Sequence, residues 1–98
     1  MYGLIGKMTA VPGQREALIA IMLAGGEAMP GCLSYVVALD PAEADAIWIT
    51  EVWDSEESHR ASLMLPAVQR AIAAGRPLIA DIGDSVATIP VGGLGLGG

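Results

Sequence analysis

Residues 2–11 alternate with a period of two. Tyr2, Leu4, Gly6 and Met8 share one side, and Gly3, Ile5, Lys7 and Thr9 the other, which predicts a strand. Pro12-Gly13 ends it as turn punctuation. From Gln14 to Ala28 the period changes: Leu18, Ile21, Met22 and Gly25 recur at i, i+3, i+4 and i+7, one core-facing stripe of a helix. Gly25-Gly26 weakens its last turn and Pro30-Gly31 stops it. Alternation returns at residues 32–39, with Leu33, Tyr35, Val37 and Leu39 on one face and Cys32, Ser34, Val36 and Ala38 on the other. A polar loop from Asp40-Pro41 to Asp45 leads into a third strand, 46–53, and the two strands read as a hairpin. The third strand sets Ile47, Ile49, Glu51 and Trp53 against Trp48, Thr50 and Val52.

Asp54 with Glu57 three residues on has the spacing of a capping box, predicting a helix to about Met64. Pro66 suits the first position of another helix, with Val68, Ala71 and Ile72 as its apolar face and Gly75 and Pro77 as its end. Residues 80–89 form the last strand of a domain spanning 1–90. The tail, 91–98, is glycine-rich and reads as flexible. The order strand, helix, strand, strand, helix pair, strand is the split βαβ arrangement of a ferredoxin-like α+β fold: a four-stranded antiparallel sheet with its helices on one face. A sheet face open to water should be polar. Here both sides of the first three strands are largely apolar, Lys7 and Glu51 being the main exceptions. Something must cover the second side, and a second copy of the same sheet is the simplest cover, which predicts a homodimer through the sheet face.

Composition points the same way. Apolar residues make up 53% of the 98-residue chain, and a mean hydropathy of +0.54 is high for a lone small domain. No apolar run reaches the roughly 18 residues of a membrane span. The start, Met1-Tyr2-Gly3-Leu4, has neither a basic region nor a signal core, so a cytoplasmic location is expected. A single cysteine, Cys32, excludes an internal disulfide and suits a reducing compartment. The formal charge of −6 argues against nucleic acid and against an anionic membrane surface as partners.

Several stretches together resemble the antibiotic biosynthesis monooxygenase family: Val11-Pro12-Gly13, Met29-Pro30-Gly31-Cys32-Leu33-Ser34-Tyr35, Glu51-Val52-Trp53, Ser55-Glu56-Glu57-Ser58-His59, Leu65-Pro66 and Pro77-Leu78-Ile79-Ala80. The likeness spans about residues 2–90. It implies a dimeric α/β barrel formed by two sheets, with a pocket between sheet and helices in each subunit. It also implies oxidation of quinols or polyketide-derived anthrones by molecular oxygen, without metal or flavin. An electron-rich phenol, once deprotonated, can itself pass an electron to oxygen, so the protein binds, removes a proton and excludes water. The haem-degrading branch carries a histidine ten residues beyond its tryptophan; here Leu63 occupies that position and His59 lies only six beyond Trp53. The chain has no asparagine, which both the haem-degrading and the anthrone-oxidising branches use. Haem degradation is disfavoured.

Against that background the candidate chemistry is sparse. Histidine is the one side-chain type that ordinarily titrates near neutrality, and His59 is the only one present. It is a candidate base for a phenolic substrate or, alternatively, a solvated helix residue beside Arg60. Trp53 is a candidate catalytic wall for an aromatic ligand or ordinary core, and Trp48 points to the opposite side of the same strand. Tyr35 offers a phenol to a ligand or a cross-strand pair. Glu51 is either a substrate-binding carboxylate or half of an ion pair with Lys7, Arg60 or Arg76. Leu63 shares the helix face of His59 at i+4 and borders the same region. Cys32 reads as a small packed residue, and Met8, Met22, Met29 and Met64 as core filler. One histidine and one cysteine supply no closed zinc site, so no metal is expected, and the resemblance implies no cofactor. Gly92 to Gly98 precede no helix and form no phosphate cradle. The reading is a cofactor-independent monooxygenase of a small aromatic substrate. The alternatives are a non-catalytic dimer that binds a small hydrophobic ligand, and a structural protein whose pocket is vestigial.

Overall fold

In a computed structural model, which describes residues 1–25 and 29–96, the alternating segments form strands β1 (Tyr2–Ala10), β2 (Cys32–Leu39), β3 (Ala46–Trp53) and β4 (Ile79–Thr88). The helices are α1 (Arg15–Gly25), α2 (Glu56–Ser62) and α3 (Pro66–Gly75), and a 3₁₀ turn, Arg76–Leu78, leads into β4. The strands pair antiparallel in the order β2-β3-β1-β4, a ferredoxin-like α+β fold. The last three residues of the predicted first helix, 26–28, lie outside the described residues, as do 97–98.

Three local expectations are corrected. Helix α2 is capped by Ser55 and not Asp54: Ser55 is extended (φ −155°, ψ 161°) and its Oγ accepts the Ser58 N–H at 3.1 Å. The Asp54 N–H is already committed to the Gly31 carbonyl at 2.9 Å, tying the end of β3 to the start of β2. Gly31 has φ +84°, and a Cβ there would lie 2.6 Å from the Ser58 Oγ, so only glycine admits this approach. Second, β2 carries an extra residue at its start. Cys32 pairs with Trp53 while Ser34 pairs with Val52, so the simple alternation of Cys32 with Ser34 fails at a bulge around Leu33. Third, β4 opens at Ile79, one residue before the expected start, because Pro77 ends no helix directly and instead sits inside the 3₁₀ turn.

The helices cover one face of the sheet. Ala10, Leu18 and Ile47 form its buried centre, with Met8, Ile19, Met22, Val37, Ile49, Leu78 and Ile79 packed around them. Leu18 thus carries the apolar stripe predicted for α1 onto the sheet. Gly75 lets α3 approach α1 closely, since a Cβ there would sit 3.2 Å from the Leu18 Cδ1. The Arg15 guanidinium donates to the carbonyls of Glu43 (3.0 Å), Ala46 (3.3 Å) and Asp40 (3.4 Å), fastening α1 to the β2–β3 loop. Pairing aligns Val36, Thr50, Ile5 and Val86 in one row across the opposite face. Val36, Ile5, Val86 and the nearby Trp48 remain 52%, 38%, 56% and 38% exposed, so this outer face is the bare apolar side the strand pattern required. Among the described residues no helix is long and apolar enough to cross a membrane.

Candidate functional site

A cavity of about 750 Å³ lies between the inner sheet face and the helices, within the range of small-molecule sites. Met8 and Ile49 contribute from the strands, Ile21 and Met22 from α1, and Val68, Ala71 and Ile72 from α3. The predicted apolar faces of α1 and α3 therefore close over the same space. Its polar groups fall at two ends. Tyr35, Glu51, Trp53 and His59 belong to β2, β3 and the adjoining α2; Arg76 and Asp81 belong to the approach and start of β4. Leu63 and Ser62 complete the wall beside His59.

Each polar side chain owes its place to local structure. Glu51 and Trp53 are two apart on one strand and so share its inner face. The Trp53 indole is 1% exposed and donates its N–H to the Glu51 Oε1 at 3.0 Å. The Ser55 cap starts α2 immediately after β3, which brings His59 one turn later over Trp53. Their ring centroids are 5.4 Å apart at 69°, an edge-on contact. Tyr2, the register partner of Trp53 on β1, flanks His59 from another side at 5.6 Å. The Ser62 Oγ donates to the His59 carbonyl at 2.6 Å, using up that hydroxyl within the helix. Tyr35 lies opposite Glu51 across the β2–β3 ladder. Burial, reinforced by the negative charge of Glu51 and, in alkali, by a Cys32 thiolate, pushes the Tyr35 phenol up to about 12, so it remains a hydrogen-bond donor at neutral pH. Burial and the Glu51 charge likewise raise the Cys32 thiol, which leaves it an un-ionised packed group whose Sγ meets the Ser34 carbonyl at 3.6 Å.

All five residues singled out from sequence line this cavity: His59, Trp53, Tyr35, Glu51 and Leu63. The ion-pair alternative for Glu51 is overturned. Lys7 lies on the outer face and reaches Glu43 at 2.8 Å and Asp40 at 4.0 Å, Arg60 pairs with Glu56 at 3.6 Å, and no salt bridge joins Glu51 to Arg76 among the described residues. The reason is pleat parity: the β1 neighbour of Glu51 is Leu4, not Lys7. Sequence reading missed Tyr2, whose contact with His59 depends on β1–β3 register, and Ser62, for which the i+3 spacing from His59 was the available signal. It treated Arg76 only as an ion-pair candidate, and Asp81 carried no signal at all. Among the described residues no group of three or more His, Cys, Asp or Glu side chains could hold a metal ion.

With this geometry in hand, comparison with known proteins is decisive at the family level. The profile of the antibiotic biosynthesis monooxygenase family matches residues 1–74. The chain belongs to the antibiotic biosynthesis monooxygenase family. A solved family protein from Chloroflexus aurantiacus J-10-fl is 70% identical, with 98% of each chain covered and a TM-score of 0.95. Another from Deinococcus radiodurans is 26% identical over 100% of each chain, with a TM-score of 0.78. A Nitrosomonas europaea structure shares the fold at a TM-score of 0.83 with 13% identity, covering 93% of this chain and 99% of its own. No functionally curated protein matches the chain.

Proposed function

We propose that this family member is a monooxygenase that oxidises a small electron-rich aromatic, quinol- or anthrone-like, with molecular oxygen and no resident metal or flavin. The observation that carries the reading is His59, packed edge-on against Trp53 at the polar end of an apolar cavity large enough for a polycyclic ligand. In this mechanism the ligand ring lies against the aromatic and aliphatic wall, and His59 removes a proton from it. The resulting anion passes one electron to oxygen, and the two radicals combine into a peroxide at the ring carbon. His59 returns its proton to the peroxide, and loss of water then leaves one oxygen atom as a carbonyl and carries the other away with that proton and the hydrogen remaining on the reacting carbon. The apolar lining keeps water from the intermediate. Leu63 and Trp53 shape the wall, and Tyr35 and Glu51 supply its polar contacts.

The bare row Val36, Thr50, Ile5 and Val86 supports a homodimer through the outer sheet face, since burying that surface against a second copy removes it from water. Sedimentation should then give twice the 10.0 kDa chain mass. The small number of polar groups in the cavity also supports a second reading, a dimer that binds a small hydrophobic ligand without turnover. Oxygen uptake in the presence of hydroquinones and anthrones separates the two. Catalysis predicts accelerated uptake that falls about 10²–10⁴-fold in His59→Ala. Uptake that the protein leaves unchanged for every compound removes the oxygenase reading.

A further inference from the structure

The polar end of the cavity has an unusual balance of donors and acceptors. The Glu51 carboxylate receives one protein hydrogen bond, from the Trp53 indole to Oε1, and no cation pairs with it among the described residues. A carboxylate accepts about four hydrogen bonds, so most of its capacity faces the cavity it lines. Opposite it across the ladder stands the Tyr35 phenol, with no hydrogen bond to another side chain or to the backbone recorded among the described residues. Beyond these two, the surrounding wall is apolar apart from His59 and the already committed Ser62 hydroxyl.

We infer that Tyr35 and Glu51 together select an uncharged aromatic hydroxyl, the phenol donating to its oxygen and the carboxylate accepting its O–H. Of the common oxygen substituents, only a hydroxyl satisfies both partners. A ketone or an ether accepts from Tyr35 but leaves Glu51 facing a carbon, with its desolvated oxygen unpaired. A carboxylate ligand meets the like charge of Glu51 with no cation beside it. The cavity's one lining cation among the described residues, Arg76, lies at the β4 end, with β1 between that strand and the β3 strand of Glu51. The raised pKa of Tyr35 agrees with its donor role, because the phenol stays protonated across the physiological range. This inference rests on the cavity being the ligand site, as the proposed function holds, and names the substituent that the site reads.

Calorimetric titration of the full chain with 1-naphthol, 1-methoxynaphthalene and 1-naphthoate at neutral pH tests it without any turnover. The naphthol should bind about tenfold or more tighter than its methyl ether, and the naphthoate weakest. Glu51→Gln loses the charge and one acceptor oxygen, so it should weaken naphthol binding and recover naphthoate by about tenfold. Tyr35→Phe should weaken naphthol and ether alike, since both accept from the phenol. Equal affinity for naphthol and ether, naphthoate as the tightest ligand, or no binding of any probe would each overturn the inference. The ranking in the native protein decides the matter even where a variant fails to fold. A chain that ranks the probes as expected yet consumes no oxygen loses the oxygenase reading and keeps this one.

Discussion

The two tryptophans of strand β3, one on each face, each donate to a carboxylate, and the two pairs behave differently. On the outer face the Trp48 N–H donates to the Asp40 Oδ2 at 2.8 Å; on the inner face the Trp53 N–H donates to the Glu51 Oε1 at 3.0 Å. Asp40 also takes the backbone N–H groups of Glu43 (2.9 Å) and Ala42 (2.8 Å), and Lys7 lies 4.0 Å away. The backbone bond from Glu43, then the bonds from Trp48 and Ala42, hold its carboxyl down at about 2. Its acceptor capacity is spent on closing the hairpin. Glu51 has the single indole bond and a cavity in front of it. A tryptophan and a carboxylate make a clasp where the chain itself supplies three donors, and a ligand-facing group where it supplies one.

The contrast can be broken by mutation. The largest effect expected is on stability: Trp53→Ala should cost about 3–5 kcal/mol in urea unfolding, because it empties a fully buried aromatic site. Trp48→Ala should cost only about 1 kcal/mol within one chain, since its ring is partly exposed there and one charge-assisted hydrogen bond is lost, the comparison being made at protein concentrations low enough to dissociate a dimer. Equal losses would abolish the distinction between the two pairs. A smaller effect is expected in acid. The folded-state pKa of Asp40 is depressed from 3.8 to about 2, so the stabilisation it confers is present above the ordinary value and disappears as pH falls through the folded one. Asp40→Asn should flatten the loss of stability between those pH values, as read by unfolding at stepped pH. The smallest effect concerns Tyr35. Its raised pKa means that its contribution is present below the ordinary value of 10.0 and is lost as pH rises through about 12. Ultraviolet titration should show a phenolate appearing near that upper value, and Tyr35→Phe should remove this late component alone.

Much of this was legible in the chain. The hairpin strands fell at 32–39 and 46–53, as the alternation indicated, because period two and the Asp40-Pro41 break are both local signals. Pro66 opened α3 as expected, since a proline at the first helical position forgoes only an N–H that has no partner there. The Ser55 cap is not legible because Asp54 and Ser55 are both good caps, and only the folded backbone shows Ser55 extended with its Oγ on the Ser58 N–H. The bulge at the start of β2 escaped for a similar reason: an extra residue becomes visible only against the partner strand. The family motifs led to His59, Trp53, Tyr35 and Glu51, and the i+4 spacing from His59 to Leu63, but neither led to Tyr2, which reaches His59 through strand register.

The order of elements, the apolar character of both sides of the strands and the scarcity of ionisable groups suited to chemistry follow from sequence alone, because periodicity and turn residues act over a few positions. Which side of β3 became the cavity and which the outer face was settled by the helices packing over Trp53 and not over Trp48. Nor does spacing along the chain bring Tyr35 opposite Glu51, or leave that carboxylate without a cation among the described residues. Those outcomes arise when pleat parity and inter-strand register, each shared among several strands, are resolved together in the folded sheet.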